Sequence, residues 1–196
     1  MIGKTNIKVK PNKKVNYVEY IESTGTQYID TGIVGNQNIK IEAKFKTGNY
    51  SGGTAVLGRY VDATQSISLA INNNGSNANS RFGNAAKTLA NWQTNTLYEI
   101  EINKDSLIRN GTTYTLGASN TFTTTNSLLI FHNGDANVKK FVGKLYYLEI
   151  YENGILIRDF KPCKDEAGVY CLYDKVEKKY YYNQGTGEVL GGASIW

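Results

Sequence analysis

An Asn-Gly dipeptide at residues 153 and 154 separates two runs, 141–151 and 155–161, in which polar and apolar residues largely alternate. Asn-Gly between alternating runs is a strong signal for a two-residue type I′ turn, because both positions of that turn take a positive φ. We therefore predict a β-hairpin here, and the turn fixes its register. The predicted opposite pairs are Glu152 with Ile155, Tyr151 with Leu156, Ile150 with Ile157, Glu149 with Arg158, and Tyr147 with Phe160.

Similar alternation recurs along most of the chain. Residues 38–47 alternate apolar side chains with lysine and glutamate, and residues 97–103 alternate in the same way. A second Asn-Gly turn stands at residues 110 and 111. These patterns predict about a dozen short strands, with a turn signal about every 8 to 12 residues and no long helical period. A chain of 196 residues with this pattern suits one all-β domain, either a sandwich or a barrel.

The positive charge of the chain is concentrated at its N-terminal end. Of 22 basic and 17 acidic residues, five basic ones and no acids lie in residues 1–16, so 17 of each remain in residues 17–196. We therefore divide the chain into a basic arm, 1–16, and a formally neutral body, 17–196. Such an arm can contact an acidic partner, nucleic acid or a membrane surface, can add a strand to a neighbouring chain, or can be a solvated terminus. Its candidate partner-binding residues are Lys4, Lys8, Lys10, Lys13 and Lys14.

Several functions are disfavoured by the sequence. The balanced charge of the body argues against nucleic-acid binding by the body, and no glycine-rich phosphate-binding motif occurs. No apolar run reaches the roughly 18 residues of a membrane span, and residues 1–11 lack the apolar segment of a secretory signal. We therefore expect Cys163 and Cys171, which flank a turn-like stretch, to be free thiols; a disulfide across this turn is the alternative.

Three parts of the sequence together resemble a known family. They are VEYIESTGTQYIDTG at 18–32, LYEIEINKDSLIRNGTTY at 97–114, and the pair KLYYLEIYENGILIRDFKPC and VYCLYDKVEKKYYYNQGTG near the end. Over residues 17–192 the chain resembles the concanavalin A-like, laminin-G-like jelly-roll domains of phage structural proteins and Gram-positive surface proteins. The resemblance implies an all-β jelly-roll sandwich of two antiparallel sheets and a non-catalytic role. Cys171 departs from the family, which more often has a small residue such as glycine there.

From this resemblance we expect a non-enzymatic accessory protein of a phage virion, on the tail or decorating the head, with host-surface glycan as its ligand. Such a protein is made in the host cytoplasm, and the basic arm would join it to other virion proteins. By family analogy it could be a homo-oligomer, although no residue pattern here selects a symmetry. The alternative is a carbohydrate-binding or adhesion module of the bacterial cell surface.

Glycan binding requires flat aromatic faces beside side chains that hydrogen-bond sugar hydroxyls, in a shallow groove. We look for these residue types outside the regular core pattern. For Trp92 the competing interpretation is a residue that closes one end of the core, and most of the 15 tyrosines are expected to be strand residues. The candidate ligand-binding residues are Arg59, Tyr60, Asn72, Arg81, Asn84, Trp92 and His132.

The strongest enzymatic signal is Glu99-Ile100-Glu101-Ile102-Asn103, which resembles the acidic catalytic strand of jelly-roll glucanases. A retaining glycosidase needs two carboxyl groups about 5 to 5.5 Å apart, one as nucleophile and one as proton donor. Asn103 stands at the position of the final acid, so we expect no catalysis. We also expect no cofactor. One histidine and two cysteines make zinc improbable, and calcium is the metal that loop oxygens of Asp62, Asp135 and residues 72–74 could take.

Overall fold

The computed structural model describes residues 14–50, 52–71 and 76–195. Within this part the chain forms eighteen β-strands, and no helix there has the length and hydrophobicity that crossing a bilayer requires. The strands are β1 (Asn16–Tyr17), β2 (Ile21–Thr24), β3 (Ile29–Asn36), β4 (Ile39–Thr47), β5 (Thr54–Arg59), β6 (Ile67–Ile71), β7 (Ala78–Phe82), β8 (Ala85–Leu89), β9 (Leu97–Asn103), β10 (Ser106–Arg109), β11 (Thr112–Thr115), β12 (Thr123–Ile130), β13 (Lys139–Lys140), β14 (Val142–Glu152), β15 (Ile155–Lys164), β16 (Tyr170–Asp174), β17 (Lys179–Tyr181) and β18 (Leu190–Gly191).

The strands form two sheets that pack face to face around one core. The larger sheet follows the order β11-β10-β9-β4-β14-β15-β16-β17, with β1 beside β15 and with β2 between β14 and β18. The smaller sheet follows the order β3-β12-β5-β6-β7-β8, with β13 beside β5. Neighbouring strands run antiparallel, apart from the two-residue β13–β5 pair. The predicted all-β, two-sheet antiparallel jelly-roll sandwich is confirmed.

The space between the sheets is filled by every second residue of the central strands. In β4 four apolar side chains, at positions 39, 41, 43 and 45, are buried, while the lysine and glutamate side chains between them reach the surface. Burying one large apolar side chain stabilises a fold by about 1.5 to 3 kcal/mol, so the alternation as a whole holds the sandwich together. Phe45 is the centre of an aromatic cluster whose other rings are those of Trp92, Tyr98 and Phe141.

The hairpin of β14 and β15 forms around its predicted turn, but the predicted register holds only next to that turn. Asn153 and Gly154 have φ values of 51° and 78°, as a type I′ turn requires. The first two predicted pairs are present. Ile157 is then an extra residue in β15, a β-bulge that shifts every later pair by one. The predicted pairs of Ile150, Glu149 and Tyr147 are therefore wrong, and the observed pairs are Ile150 with Arg158, Glu149 with Asp159, and Leu148 with Phe160.

Arg158, the residue after the bulge, pairs with two acidic side chains at the β16–β17 turn. Its Nη2 lies 2.7 Å from Glu177 Oε1, and its Nε lies 3.6 Å from Asp174 Oδ2. Asp174 is 0% exposed, and its carboxylate also accepts hydrogen bonds from the backbone N–H groups of Asp159 and of two turn residues. Arg158 Nε also donates to Thr31 O at 3.4 Å, so this ion pair links the larger sheet to β3 of the smaller one.

The first and last blocks that carry the family resemblance are in contact in the fold. The side-chain amide of Gln27 is buried and donates from Nε2 to Glu188 O at 2.9 Å. Thr26 Oγ1 donates to Thr186 O at 2.7 Å. A Cβ at position 185 would overlap Thr26 O, so Gly185 permits this close approach of two backbones. The two blocks are therefore packing partners in this fold.

Cys163 and Cys171 face each other across β15 and β16 as free thiols, as expected. Both are buried, and their Sγ atoms are 3.4 Å apart. The hydrogen bond with Cys171 and burial both raise the pKa of the Cys163 thiol, because each disfavours the thiolate. The pair is therefore an inert part of the interior under reducing conditions.

Most of the basic arm lies outside the described residues. Lys4, Lys8, Lys10 and Lys13 fall in that part of the sequence. Lys14 is described and exposed, and β1 begins two residues later. The boundary at residue 16 and the partners of the arm remain predictions.

We predict that Asp174→Ala destabilises the protein far more than Glu177→Ala. Removing the buried carboxylate leaves Arg158 with one acidic partner and deprives several backbone N–H groups of their acceptor. This should lower the free energy of unfolding by about 3 to 5 kcal/mol. The Glu177 side chain is more exposed, so its removal should cost about 1 kcal/mol or less. Urea unfolding measures both losses, and equal losses would contradict this role of Asp174.

Candidate ligand-binding groove

A groove of about 570 Å³ lies on the outer face of the smaller sheet. Its floor is formed by Ser68 and Ala70 of β6 and by their cross-strand neighbours Arg81 and Asn79 of β7. The rest of the lining comes from the ends of β5 and β6 and from the loop between β12 and β13, and consists of Gly53, Tyr60, Ile71, Asn133, Asp135, Asn137 and Val138.

The low floor follows from the alternation of side chains along β6. Ile67, Leu69 and Ile71 are packed in the core, so Ser68 and Ala70 point to the opposite face. Both side chains are small, which leaves the middle of this sheet face lower than its surroundings. Our sequence reasoning missed these two positions, although the alternation of ISLAI at 67–71 would have indicated them.

The loop 131–138 forms one wall of the groove and is held by its own hydrogen bonds. Tyr60 N donates to Asn133 O at 2.7 Å, and Asn133 Oδ1 accepts from Asp135 N at 3.1 Å. Asp135 Oδ1 accepts from the backbone and side-chain nitrogens of Asn137, at 2.9 and 3.2 Å. Asn133 is only 3% exposed, and no described residue accepts a hydrogen bond from its Nδ2. The wall therefore offers amide and carboxylate groups to a ligand.

Arg81 and Tyr60, two of the predicted candidates, meet in the groove. The Cζ atom of Arg81 lies 5.6 Å from the centroid of the Tyr60 ring, within the range of a cation–π contact. Among the described residues, Arg81 makes no ion pair and no hydrogen bond. Its cross-strand neighbours, Ser68 and Ala86, are small and uncharged. Because a guanidinium has five N–H donors and no acceptor, that of Arg81 can bond to a ligand.

Arg59 and His132, two further candidates, support the wall and do not line the groove. Arg59 Nε donates to Ser127 O at 2.8 Å, and a Cβ on Gly134 would overlap the Arg59 guanidinium. Burial lowers the pKa of Arg59. His132 Nδ1 accepts from Gly134 N at 3.2 Å, and its Nε2 lies 3.1 Å from Val138 O, which assigns the neutral Nε2–H tautomer. Both residues therefore fix the shape of the loop.

Of the remaining three candidates, Trp92 and Asn84 do not line the groove. Trp92 is 2% exposed and stacks on Phe45, so it is a core residue and leaves the candidate set. Asn84 lies at the exposed β7–β8 turn, where its Oδ1 accepts from Asn120 N at 2.8 Å. Asn72 directly follows β6 and lies outside the described residues.

Three asparagines that line the groove were not among the predicted residues: Asn79, Asn133 and Asn137. They come from β7 and from the loop after β12, which are far apart in the sequence. Only the order of strands in the sheet brings them together, and that order leaves no short-range signal in the sequence. The polar run after His132 was the one local indication.

The acidic residues of β9 lie on the larger sheet, on the other side of the sandwich core from the groove floor. Glu99 is exposed and forms an ion pair with Lys44, with 2.7 Å between Oε1 and Nζ. Glu101 lies opposite Glu42 of β4. The expectation that the protein is not an enzyme remains a prediction.

The described residues contain no group of three or more His, Cys, Asp or Glu side chains placed to hold a metal ion. Asp62 Oδ1 accepts hydrogen bonds from Thr64 N and Gln65 N, at 2.7 and 2.9 Å, and thereby closes its own turn. These bonds lower the pKa of Asp62 because they favour the carboxylate. The expectations for calcium and for cofactors in general remain predictions.

Comparison with known proteins relates the fold to solved structures. No family model and no curated protein sequence matches the chain. A "putative carbohydrate binding protein" from Bacteroides ovatus ATCC 8483 is similar with a TM-score of 0.64 and 12% identity, over 92% of this chain and 62% of that one. Tailspike protein 2 of Escherichia coli O157:H7 bacteriophage CAB120 gives a TM-score of 0.40 and 10% identity, over 74% of this chain and 27% of that one. The first likeness supports the sandwich fold, and this chain spans less than two thirds of that neighbour's length.

We predict that His132 makes the folded protein less stable as the pH falls below the ordinary pKa of histidine. Burial, helped by Lys140 and Arg59, lowers the pKa of His132 below 6.5 in the folded protein. As the pH falls through about 6.5, the unfolded chain binds a proton before the folded one does, so the free energy of unfolding should decrease. His132 is the one histidine of the chain, so His132→Gln should remove this step. Urea unfolding between about pH 7.5 and about pH 5 measures it, and an identical pH profile in the variant would contradict the prediction.

Proposed function

We propose that this protein is a non-catalytic glycan-binding domain whose ligand lies in the groove of the smaller sheet. The observation that carries the proposal is the Arg81 guanidinium, which lies beside the Tyr60 ring without a hydrogen-bonding partner among the described residues. A guanidinium without a protein partner keeps its N–H donors available for a ligand. The description of the Bacteroides ovatus neighbour as carbohydrate-binding supports the ligand class.

The chemistry of the groove suits a saccharide. The apolar C–H face of a sugar ring can pack on Tyr60, because aromatic rings combine a large apolar face with a polar edge. Asn79, Asn133 and Asp135 can exchange hydrogen bonds with hydroxyl groups, and the small floor at Ser68 leaves room for a ring. Because strands form the floor and hydrogen bonds hold the loop 131–138, the groove would be in place before the ligand arrives.

The proposal assigns no reaction to the acidic strand β9. Asn103 replaces the acid that a glucanase would use as proton donor, and Glu99 is already paired with Lys44. Hydrolysis of a bound glycan that Glu99→Gln abolishes would refute this part of the proposal.

For the biological setting we propose a phage virion, with the protein on the tail or on the head and with the basic arm as its anchor. The family resemblance of the sequence supports this setting. A carbohydrate-binding or adhesion module of a bacterial surface is the alternative, and the same groove would serve it. The two settings differ in what the arm contacts, and not in the ligand chemistry.

We predict that Tyr60→Ala weakens glycan binding by about 2- to 10-fold, because it removes an aromatic stacking contact of about 0.5 to 1.5 kcal/mol. A glycan array of bacterial surface saccharides identifies the ligand, and calorimetry measures the change in Kd. Tyr20→Ala is a matched control, because the Tyr20 ring also contacts a cation, Lys144 Nζ at 3.8 Å, but lies by the larger sheet. Equal effects of the two substitutions, or an array without a hit, would contradict the proposed site.

We predict that deletion of residues 1–13 leaves a folded, glycan-binding body that is no longer incorporated into particles. The deletion keeps Lys14 and β1, so the pairing of β1 with β15 is retained. Mass spectrometry of purified virions measures incorporation. A full-length variant with glutamine at positions 4, 8, 10 and 13 separates charge from strand addition, because it keeps the length of the arm. Normal incorporation of the deleted protein would show that the arm is not the anchor.

A further inference from the structure

We infer that the groove selects an acidic glycan, in which a carboxylate or phosphate group pairs with Arg81 and the chain continues past Val138 towards Lys140. This inference rests on the proposed function and adds the ligand's charge and direction. It follows from two independent features, the partners of the four arginines and the charges along the groove.

The four arginines of the chain differ in how their guanidinium groups are satisfied. Arg158 pairs with Asp174 and Glu177. Arg59 donates to Ser127 O, and Arg109 donates to Ala90 O and to Tyr114 Oη. Arg81 alone among the four has neither an ion pair nor a hydrogen bond with a described residue.

The position of Arg81 prevents neutralisation by its own sheet. Its cross-strand neighbours are Ser68 and Ala86, so neither adjoining strand offers an acid directly opposite it. The carboxylate that does line the groove, that of Asp135, has Oδ1 bonded twice by Asn137. A planar guanidinium without an acidic partner in its own sheet is complementary to a carboxylate or phosphate, which it can bind through two parallel hydrogen bonds.

A second depression of about 370 Å³ continues the groove on the far side of Val138, which lines both. The two depressions are also adjacent in the chain at Gly53 and Thr54. The described residues that line the second depression include Lys139 and Lys140, and none of them is acidic; the others are Thr24, Gly25, Asn49, Tyr50, Thr54, Val138 and Val142.

Among the described residues, the linings of the two depressions include the cationic side chains of Arg81 and Lys140 and the carboxylate of Asp135, although the body as a whole is formally neutral. The excess of positive charge is therefore local to the groove. An acidic saccharide that spans both depressions would meet Arg81 at one end and Lys140 at the other. Hydroxyl-bonding groups lie between them, which favours a charged saccharide over a polyanion without sugar rings.

The test compares each acidic glycan with its neutral counterpart by calorimetry on the full-length chain. The carboxylate probe is an oligogalacturonate and its methyl ester, and the phosphate probe is a glycosylated glycerol-phosphate oligomer and the same sugar without phosphate. We expect one acidic probe to bind at least about 10-fold more tightly than its neutral counterpart, and this preference should shrink as salt rises from about 0.05 to about 0.3 M. The pair of probes that shows the preference identifies the anionic group.

Arg81→Met should weaken binding of the acidic probe far more than binding of its neutral counterpart, so that the ratio of the two Kd values falls to about 1, and Arg81→Lys should retain part of the preference. An unchanged thermal midpoint shows that each variant is folded. Lys140→Gln should weaken the binding of long acidic oligomers by about 3-fold and leave the binding of short ones unchanged. Lys164→Gln, on the larger sheet, is the control.

Three results would overturn the inference, and they separate it from the proposed function. If neutral and acidic probes bind equally and Tyr60→Ala weakens both, the glycan site stands and the charge preference is wrong. If polyglutamate binds as tightly as the acidic glycans, the groove recognises charge alone. If no saccharide binds, the proposed function fails together with this inference.

Discussion

The two-residue period of the β-strand is the constraint on which the rest of this structure depends. In strands such as β4 and β6, alternate side chains pack in the core, so the outer face of the sheet receives only the residues in between. In β4 these are lysines and a glutamate, and in β6 they are Ser68 and Ala70. The same packing rule therefore gives a charged strand face on one sheet and a low strip of small side chains on the other. The groove therefore exists because the outward positions of β6 are occupied by small residues.

Local signals predicted the local parts of the fold well. The turn at Asn153 and Gly154 needs two residues with positive φ, and that requirement is visible in two letters of sequence. The register beyond Ile157 is not local. The shifted register decides how Phe160 packs in the core and brings Arg158 to Asp174. The core and Asp174 both lie outside the hairpin loop. A bulge of this kind is therefore invisible to a pairing rule that counts outward from the turn.

The candidate site shows the same division between local and non-local information. Tyr60 and Arg81 were selected as residue types outside the regular core pattern, and both line the groove. Trp92 was selected for the same reason, but its ring lies against Phe45 in the core, because an indole buries more apolar area than any other side chain. For the asparagines of the wall, the polar run after His132 gave a local indication, but their proximity to β7 depends on strand order. A sequence shows which residues have the chemistry of a binding site, but it does not show which residues of distant strands come together.

The contact between Gln27 and Glu188 has a consequence for how the protein forms. These residues are 161 positions apart in the chain, so their hydrogen bond closes a loop that contains most of the sandwich. Pairings of such long range carry a large entropic cost before they contribute stability, and sandwiches rich in them fold in about milliseconds to seconds. β2 pairs with β14 on one side and with β18 on the other, and both partners lie far from it in the sequence. Its second edge therefore lacks a partner until β18 has been synthesised, so this part of the larger sheet is completed late in folding.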